Sequence, residues 1–443
     1  MRSPEPRPPV PSAASAASPV GRRGFLAASL AAAGTAALGG CAGPGQGGRL
    51  RLSQWNLFTG GDGARMVEMH ERYQAEHPDV DFRPTTFLWG SPYYTKLATG
   101  AAGGRGAHVA TLHLSRLRNL APGRLLDPIP MDRLAEHGVT ADGFLPNVWD
   151  KCLVDGRLYA VPLDTHPFVT YFNTDICARA GVLDADGRLV ETHGRDELFD
   201  LLSAVRDVTG RYAVSVDATG GWRLFWTLYR QQDGRMTFDG GRVGLDTDKA
   251  LTALETIALL SERGLAPRTS DPPASAANFG NAVAGLLWTG AWEAPTFADA
   301  GLPFSMTRFH DVYGNRRTHA DSHAFVFPHQ RDPDPRVRDA AVEYVAFMLR
   351  NSVLWAEGGH VPAYQPVAES REYRDLYPMS EYRDVAEDIQ FDPDIWFSGS
   401  AAQMQLEANQ AFEALHAGTI TPEAALGQFT RAAQRLLDTP APM

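Results

Sequence analysis

The sequence predicts an α/β protein built from two lobes, each a mainly parallel sheet flanked by helices. Short stretches of strand length alternate with amphipathic stretches of helix length along most of the 443 residues, which is the pattern of βαβ units. A chain of this length holds two to three domains' worth of core. A polar segment bounded by prolines near residue 164 marks the place where the chain passes from one lobe to the other.

This crossover is predicted at Leu158–Asp175. It follows Leu153–Leu158, whose central Asp-Gly pair favours the tight turn of a hairpin. Pro162 and Pro167 exclude a regular hydrogen-bonded ladder, so the stretch between them is predicted to be a short, stiff connection. The polar residues 164–166, enclosed by the two prolines, predict a ligand cleft beside the connection.

A buried strand and a capped helix are predicted directly after the connection. Every residue of Phe168–Phe172 is apolar or β-branched, which is typical of a strand that is buried on both faces. Asn173 can cap the helix that follows, and Gly181 can end it. The second lobe therefore begins at this helix.

The first forty residues predict an export signal. Arg22-Arg23 precedes the small, apolar run Ala27–Gly40, and Leu38–Cys41 has the form of a lipobox, so residues 1–40 are predicted to be a twin-arginine lipoprotein signal and residues 41–48 a tether. The alternative is a transmembrane anchor, but the apolar run is shorter than the roughly 20 residues that a spanning helix needs. The mature protein is therefore predicted to be extracellular and held at the outer face of the cell membrane by a lipid on Cys41.

The mature chain is strongly acidic. The first forty residues hold four Arg and one Glu, which leaves 37 basic and 51 acidic side chains in Cys41–Met443. An acidic surface without a basic run argues against nucleic acid or an anionic membrane face as a partner.

Cysteine content excludes a zinc site of the usual thiolate kind. Once Cys41 carries lipid, only Cys152 and Cys177 remain, and no Cys-x-x-Cys pair occurs. Two free buried thiols are the favoured interpretation, with a single disulfide as the alternative. No metal site and no cofactor are predicted.

The first lobe is predicted from a βαβαβ pattern. Its strands and helices are predicted, in chain order, at Arg49–Gln54, about Ala64–His77, Asp79–Phe87, Tyr93–Thr99 and Val109–Leu114. Such a pattern gives a parallel sheet with ligand groups at the carboxyl ends of the strands.

The loop after the first strand, Phe58–Gly63, is rich in glycine. A loop of this kind can hold a phosphate at a helix N-terminus, but it lacks the Gly-x-Gly-x-x-Gly order and a lysine, and Asp62 would repel phosphate. Trp55, Asn56, Thr59 and Asp62 suit a polyhydroxylated ligand better than a nucleotide.

The second lobe and the return of the chain are predicted from further strands and helices. The strands are at Tyr212–Val216, Leu286–Trp292 with its turn, Phe304–Thr307 and Ser322–Pro328. The helices are at Arg195–Thr209, Trp222–Gln231, Asp248–Arg263, Arg336–Asn351 and, with an interruption at Gly418–Pro422, Ala401–Leu437. No internal repeat is found.

Six segments in this order resemble the extracellular solute-binding proteins of bacterial ABC sugar importers, the maltose-binding-protein-like group. They are the signal with its lipobox, Phe58–Gly63, Gly156–Pro162, Tyr171–Asp175, Thr289–Trp292 and Trp355–Pro362. Together they extend over nearly the whole mature chain. Trp288 and His360 stand where members of the group vary, so the resemblance does not identify the sugar.

The resemblance implies a periplasmic-binding-protein-like fold with two α/β lobes, three crossover hinge segments and a sugar held between the lobes. The N-terminal lobe is then predicted at residues 49–163 plus 322–362. The C-terminal lobe is predicted at residues 164–321 plus 363–443.

Sugar recognition needs planar polar groups for hydroxyls and aromatic faces for the C–H surfaces of the rings. The residues predicted to bind the ligand are Trp55, Asn56, Thr59, Gly61, Asp62, Trp89, His113, Asp164, His166, Trp226, Trp292, His323 and His360.

Several of these residues also have a structural interpretation. Trp222 and Trp226 lie on a predicted helix, where a place in the core is favoured, whereas Trp292 follows a glycine turn and matches the stacking tryptophan of the resembled group. Asp62 could cap a helix, His113 could end a strand, Asp164 and His166 could make hinge hydrogen bonds, and Trp55, His323 and His360 could serve only the core or the surface.

The sequence therefore predicts a lipid-anchored, monomeric receptor without catalytic residues. It would capture a mono- or oligosaccharide by hinge closure and pass it to the transmembrane subunits of an ABC permease. Three alternatives stay open: a receptor for glycerol phosphate or a related polyol, an extracellular glycan-acting enzyme, and an adhesion or scaffold lipoprotein. The enzyme would need two carboxylates about 5–10 Å apart, and Glu293 has no partner that spacing or motif identifies.

Overall fold

The computed structural model of the chain describes residues 49–441. The predicted signal at residues 1–40, Cys41 with its lipobox and the tether at residues 41–48 lie outside the described residues.

Seventeen strands are described. In chain order they are β1 (Leu50–Asn56), β2 (Val80–Thr86), β3 (Val109–His113), β4 (Leu126–Asp127), β5 (Leu153–Val154), β6 (Arg157–Leu158), β7 (Ala160–Pro162), β8 (Asp164–Asn173), β9 (Tyr212–Val216), β10 (Met236–Thr237), β11 (Gly244–Leu245), β12 (Ala284–Gly290), β13 (Phe304–Arg308), β14 (Thr318–Asp321), β15 (His323–Pro328), β16 (Val361–Pro362) and β17 (Ile389–Gln390).

Helices connect these strands. The α-helices are Gly60–Glu76, Ser91–Ala102, Leu117–Leu120, Met131–Glu136, Pro146–Trp149, Thr174–Ala180, Arg195–Thr209, Gly221–Gln231, Thr247–Glu262, Pro272–Gly280, Ala294–Asp299, Pro335–Arg350, Ser352–Ala356, Gln365–Ala368, Arg371–Arg374, Gln403–His416 and Pro422–Leu437. Short 3₁₀ helices occur at Leu114–Arg116, Ala141–Gly143, Asp150–Cys152, Ala218–Gly220, Asp239–Gly241, Ala291–Glu293 and Met379–Glu387.

The first sheet has the strand order β2-β1-β3-β15-β4, with β7 paired to β15. Strand β1 runs parallel to β2 and β3, as the βαβαβ pattern predicted. Strand β15 returns from late in the chain and runs antiparallel to β3, β4 and β7. The first sheet is therefore parallel on one side and antiparallel on the other.

The second sheet has the order β17-β14-β8-β12-β9, with β13 and β16 also paired to β8. All ten residues of β8 are buried. Strands β12, β13, β14 and β16 run antiparallel to β8, whereas β9 is parallel to β12 and β17 is parallel to β14. This sheet is thus mixed, and not mainly parallel as predicted, since four strands run antiparallel to the central strand β8.

The prolines do not interrupt the strands as predicted. Pro162 lies in β7 opposite Ala324, and Pro167 lies in β8 opposite Ala320. At Pro167 strand β8 exchanges its partners, since the neighbouring His166 pairs with β14 and Phe168 pairs with β12. A proline is tolerated at such an exchange point because its missing N–H removes little from either ladder.

The local signals on either side of β8 are confirmed. Strands β5 and β6 form the predicted hairpin, and both turn residues, Asp155 and Gly156, have positive φ values. The side chain of Asn173 accepts a hydrogen bond from the backbone N–H of Ile176, and Gly181 ends the helix in the left-handed conformation with φ 68°.

Each sheet packs into a hydrophobic core of its own. Leu52, Leu112, Phe325 and Tyr344 are among the fully buried residues of the first core. Phe172, Leu202, Trp222 and Phe412 are among those of the second. Cys152 is buried in the first core and Cys177 in the second, and both are free thiols in the described part of the chain.

The bounds predicted for the two lobes stay a prediction. Tyr364 and Val367 pack in the first core, although they lie beyond residue 362, where the N-terminal lobe was predicted to end. Among residues 49–441, no helix combines the length and the hydropathy needed to cross a bilayer.

Candidate functional site

A cavity of about 620 Å³ lies where the two sheets face each other, a volume typical of small-molecule sites. One wall comes from the carboxyl ends of β1 and β3 and from the start of β15, and carries Thr59, Asp62, Trp89, His113 and His323. The other wall comes from β8, β9, β12 and the C-terminal segment, and carries His166, Asp217, Arg223, Trp292, Asp392 and Asn409.

Seven of the thirteen residues predicted to bind the ligand line this cavity: Thr59, Asp62, Trp89, His113, His166, Trp292 and His323. They come from six separate parts of the chain. Their contact with a ligand stays a prediction, but the structure brings them to one surface.

The other six predicted residues do not line the cavity. They are Trp55, Asn56, Gly61, Asp164, Trp226 and His360. Trp226 lies in the second core, where its ring stacks on Trp222 and its Nε1–H donates to the carbonyl of Phe391 at 3.0 Å. The aromatic face of its helix is buried, as the core interpretation of Trp222 and Trp226 requires.

Trp55 and Asn56 support the cavity wall from behind. Trp55 packs edge-to-face on Phe87 at the side of the first core. The Oδ1 atom of buried Asn56 accepts hydrogen bonds from the backbone N–H of Phe58 at 3.2 Å and from the hydroxyl of Thr86 at 3.0 Å. Asn56 thereby fixes the course of the chain just before the cavity residues 57–59.

The glycine-rich segment after β1 is helical rather than a loop. The helix begins at Gly60 instead of Ala64, so Gly61 and Asp62 lie in its first turn. A Cβ atom at Gly61 would lie 2.9 Å from the Cβ atom of Pro295, and glycine therefore allows a close approach to the segment after Trp292. Asp62 is favourably placed because a carboxylate stabilises a helix N-terminus.

Asp164 organises the base of the cavity from a fully buried position. Its Oδ1 accepts from the backbone N–H of His323 at 2.9 Å and lies 3.0 Å from Nδ1 of His166. Its Oδ2 lies 2.7 Å from Nδ1 of His323 and accepts from the indole N–H of Trp355.

The charges at this base shift several pKa values. Burial would raise the pKa of Asp164, but the surrounding His323, His360 and His166 hold it well below its ordinary value. Burial, aided by His323, lowers the pKa of His166 to about 3 and holds the pKa of His113 well below its ordinary value. The carboxylate is thus ionised and these two imidazoles are neutral at neutral pH.

Trp292 follows strand β12 and is half-buried at the cavity surface. A Cβ atom at Gly290 would collide with its indole, so the glycine lets the ring fold back onto the end of the strand. The guanidinium of Arg223 lies 5.3 Å from the ring centroid, and the ring of His166 lies 5.8 Å away. Trp89 is 43% exposed at the opposite wall.

Sequence reasoning missed the polar residues of the second wall. Asp217 follows β9 at the carboxyl end of a parallel strand, a position that could have identified it. Asp392 accepts from the indole N–H of Trp222 at 2.6 Å and lies 3.1 Å from Nε2 of His319. Gln405 and Asn409 carried no signal, because they reach the cavity from the C-terminal helix Gln403–His416.

Asp321 ties the two lobes together beside the cavity. Its carboxylate accepts hydrogen bonds from the backbone N–H groups of Ser115 at 3.0 Å and Ser322 at 2.8 Å. Burial raises the pKa of Asp321 to about 7. Ser115 in turn accepts from the backbone N–H of Ser400 at 3.0 Å.

Carboxyl groups outnumber guanidinium groups on the cavity surface. Within residues 49–441 the lining carboxyl groups are those of Asp62, Asp217, Glu293, Asp321 and Asp392, and the lining guanidinium is that of Arg223. Among the polar side chains of this surface, carboxylates and imidazoles outnumber the single guanidinium, and Trp89 and Trp292 add aromatic faces. Such a surface can bind many hydroxyl groups and an apolar ring face at the same time.

Comparison with known proteins identifies similar chains. A family model described as "Bacterial extracellular solute-binding protein" matches residues 59–353. A lactose-binding protein of Rhizobium radiobacter is 27% identical over 210 residues, which are 47% of this chain and 48% of that protein. The chain thus spans about half the length of the curated relative it matches.

Solved structures share the fold over most of the chain. The GacH receptor of Streptomyces glaucescens, solved unliganded and with acarbose, is similar with a TM-score of 0.73 at 16% identity, covering 88% of this chain and 98% of that one. MalE3 of T. maritima, solved with maltose, gives a TM-score of 0.73 at 16% identity, covering 88% and 100% of the two chains. A cyclic alpha-maltosyl-1,6-maltose binding protein of Arthrobacter globiformis gives 0.70 at 20% identity, covering 88% and 99%. At these identities the likeness shows the two-lobe fold.

Proposed function

The chain belongs to the family of bacterial extracellular solute-binding proteins, and on that premise we propose that it captures a mono- or oligosaccharide in the cavity between its lobes. The observation that carries the proposal is the composition of the cavity surface, where Trp292 and Trp89 share one space with carboxylates and histidines. It would deliver the sugar, as a monomer, to the transmembrane subunits of an ABC permease.

The chemistry of a sugar ring fits this surface. Hydroxyl hydrogens at the ring edge find acceptors in Asp62 and Asp392, and hydroxyl oxygens find donors in Arg223 and the histidines. The C–H face of a ring can pack on an indole, whose face carries negative partial charge. Two of the similar proteins are named for the sugars that they bind, which supports the same ligand class.

A phosphorylated polyol fits less well. Five carboxyl groups and one guanidinium line the cavity in the described part of the chain, and the charge of Asp217 lies within 3.9 Å of Arg223. A dianionic phosphate in this cavity would be repelled by the excess of negative charge, and it would also lose favourable hydration free energy. Neutral saccharides are therefore preferred over glycerol phosphate.

A calorimetric screen of the purified chain tests this assignment. Lactose, maltose, longer neutral oligosaccharides and monosaccharides are titrated alongside glycerol 3-phosphate. We expect a saturable heat with at least one saccharide, no heat with glycerol 3-phosphate, and recovery of the sugar unchanged. Heat with glycerol 3-phosphate alone would favour a polyol receptor. Recovery of cleaved sugar from the calorimeter would favour a glycan-acting enzyme.

We further propose that binding closes the hinge. The cavity residues come from both lobes, so a ligand makes its full set of hydrogen bonds only when the lobes approach each other. A ligand that binds the closed state better shifts the population towards it. The permease would then recognise the closed form.

Anchoring at the cell surface is proposed from the lipobox Leu38–Cys41. Cys41→Ser is expected to release most of the protein into the medium, because lipid transfer needs the thiol of this cysteine. Fractionation of cells and medium by immunoblot measures the effect. Cys152→Ser is the matched control, since its thiol lies near the carbonyl of Val148 inside the first core, and it should stay cell-associated. Retention of Cys41→Ser on cells would contradict the lipid anchor.

A further inference from the structure

We propose that the hinge binds one divalent metal ion, best satisfied by zinc, between Asp164, His166, His323 and His360. All four side chains are buried, and one potential ligand atom from each lies within 4.8 Å of all the others. The inference goes beyond sugar binding and does not depend on the identity of the sugar. The sequence alone predicted no metal site.

The candidate metal-ligand atoms lie close to one another around the carboxylate of Asp164. Nδ1 of His166, His323 and His360 lies 3.0, 2.7 and 3.3 Å from the nearest carboxylate oxygen of Asp164. Zinc–nitrogen and zinc–oxygen bonds of about 2.0–2.1 Å in a tetrahedral site place neighbouring ligand atoms about 3.3 Å apart. The three distances to Asp164 are already near this value, and the separations between the imidazole nitrogens, at most 4.8 Å, would have to shorten for a four-coordinate site to form.

The carboxylate of Asp164 cannot satisfy all of these neighbours by hydrogen bonding alone. Besides the three imidazoles it accepts from the backbone N–H of His323 and the indole N–H of Trp355, whereas a carboxylate offers about four lone-pair positions. Nδ1 of His360 is fully buried and finds no hydrogen-bond partner among residues 49–441. A buried nitrogen without a partner is costly, and a cation at this position would bind it.

Asp62 supplies the outer support that a histidine ligand usually has. Its Oδ1 lies 3.0 Å from Nε2 of His360. Nε2 of His360 can therefore be oriented by Asp62, and Nδ1 of the same ring, 3.3 Å from Oδ2 of Asp164, is left as the atom that would bind a cation. A carboxylate–histidine–metal arrangement is the usual way of orienting such a ligand.

Donor type and charge favour zinc over calcium or magnesium. Three imidazole nitrogens and one carboxylate oxygen suit zinc and its transition-metal neighbours, whereas calcium and magnesium prefer oxygen ligands only. A doubly charged ion would also balance the two carboxylates of Asp164 and Asp62, the first of which is completely buried. The ion would replace the two hydrogen bonds that His166 and His323 make to Asp164 by direct ligation.

The position gives such an ion a mechanical role. Asp164 and His166 lie at the start of β8, His323 begins β15 and His360 precedes β16. These are the three segments that pass between the lobes, so a single ion would tie all of them together. We therefore expect zinc to stabilise the hinge and the fold around it.

Equilibrium dialysis of the full chain, first stripped with a chelator and then exposed to zinc chloride at neutral pH, tests the proposal. Elemental analysis should find one zinc per chain, and thermal unfolding should shift upwards. His323→Gln and His360→Gln should lose the ion, and Asp62→Asn should bind it about 10- to 100-fold more weakly. His193→Gln, at an exposed histidine, should bind zinc as the wild type does.

If the glutamine variants do not fold, X-ray absorption of the zinc-loaded wild type identifies the ligands of the ion directly. The spectrum should show nitrogen and oxygen ligands with outer-shell scattering from imidazole rings. Absence of stoichiometric zinc, retention of zinc by both glutamine variants, or a spectrum without imidazole would each overturn the proposal. Saccharide titration of the stripped chain reports separately on the proposed function.

Discussion

Replacing Asp164 with alanine is expected to lower the free energy of unfolding by about 3–5 kcal/mol, because each buried hydrogen-bond donor left without its acceptor costs about 1–3 kcal/mol. The carboxylate is fully buried and holds His166, His323 and Trp355 in place. Without it, several buried donors would lose their acceptor. The loss would fall on the hinge, because β8, β15 and the segment before β16 meet at this side chain.

Urea unfolding of the chelator-treated protein, followed by circular dichroism, measures this effect. Asp299→Ala is the matched control, since Asp299 is exposed at the end of its helix, and we expect a change within about 0.5 kcal/mol for it. A loss for Asp164→Ala no larger than that of the control would contradict the role of Asp164 as the organising group of the hinge.

Replacing Trp292 with alanine is expected to weaken saccharide binding by about 2–4 kcal/mol, on the order of 30- to 1000-fold in affinity. The indole borders the cavity between His166 and Arg223. Its removal would leave one face of the sugar ring without an aromatic partner, while Asp62 and the histidines would keep their hydroxyl contacts.

The measurement is paired, with affinity from calorimetric titration and stability from thermal unfolding. Trp396→Ala is the control, because Trp396 is also half-buried but packs against the second core instead of bordering the cavity. Affinity of Trp292→Ala within threefold of the wild type would exclude the stacking role. So would a loss of affinity that the unfolded fraction explains in full.

Much of the fold could be predicted from the sequence because its signals are local. The buried strand Phe168–Phe172, the cap at Asn173 and the end of the helix at Gly181 each depend on neighbours a few residues away. The Asp-Gly turn of the hairpin is of the same kind. Such patterns specify strands, helices and turns without knowledge of the tertiary structure.

Features that depend on distant residues could not be predicted in this way. Pro167 is accommodated inside β8 because the strand changes partners there, which no local pattern reveals. The prediction that Pro167 breaks the ladder was wrong for this reason, whereas Pro162 is the last residue of β7. Likewise, the helix begins at Gly60, and Gly61 in its first turn lies close to Pro295, more than two hundred residues away in the chain. The glycine-rich stretch was therefore mistaken for a loop.

For the site as well, residues with a local signal could be predicted, and residues brought together only by folding could not. Thr59, Asp62 and His113 could be found because they follow the strands of a parallel sheet. The gathering of His166, His323 and His360 around Asp164 joins positions up to nearly two hundred residues apart, and only the folded chain shows it. Asn409 and Gln405 approach from the C-terminal segment and were missed for the same reason.

Small-angle X-ray scattering of the full chain, with and without a saturating saccharide from the calorimetric screen, tests most directly whether the two lobes close around a sugar. The ligand makes contacts on both walls only in the closed state, so the radius of gyration should fall on binding. Trp292→Ala at the same sugar concentration should keep the larger radius. A radius of gyration that stays unchanged when the wild type is saturated would contradict capture by hinge closure.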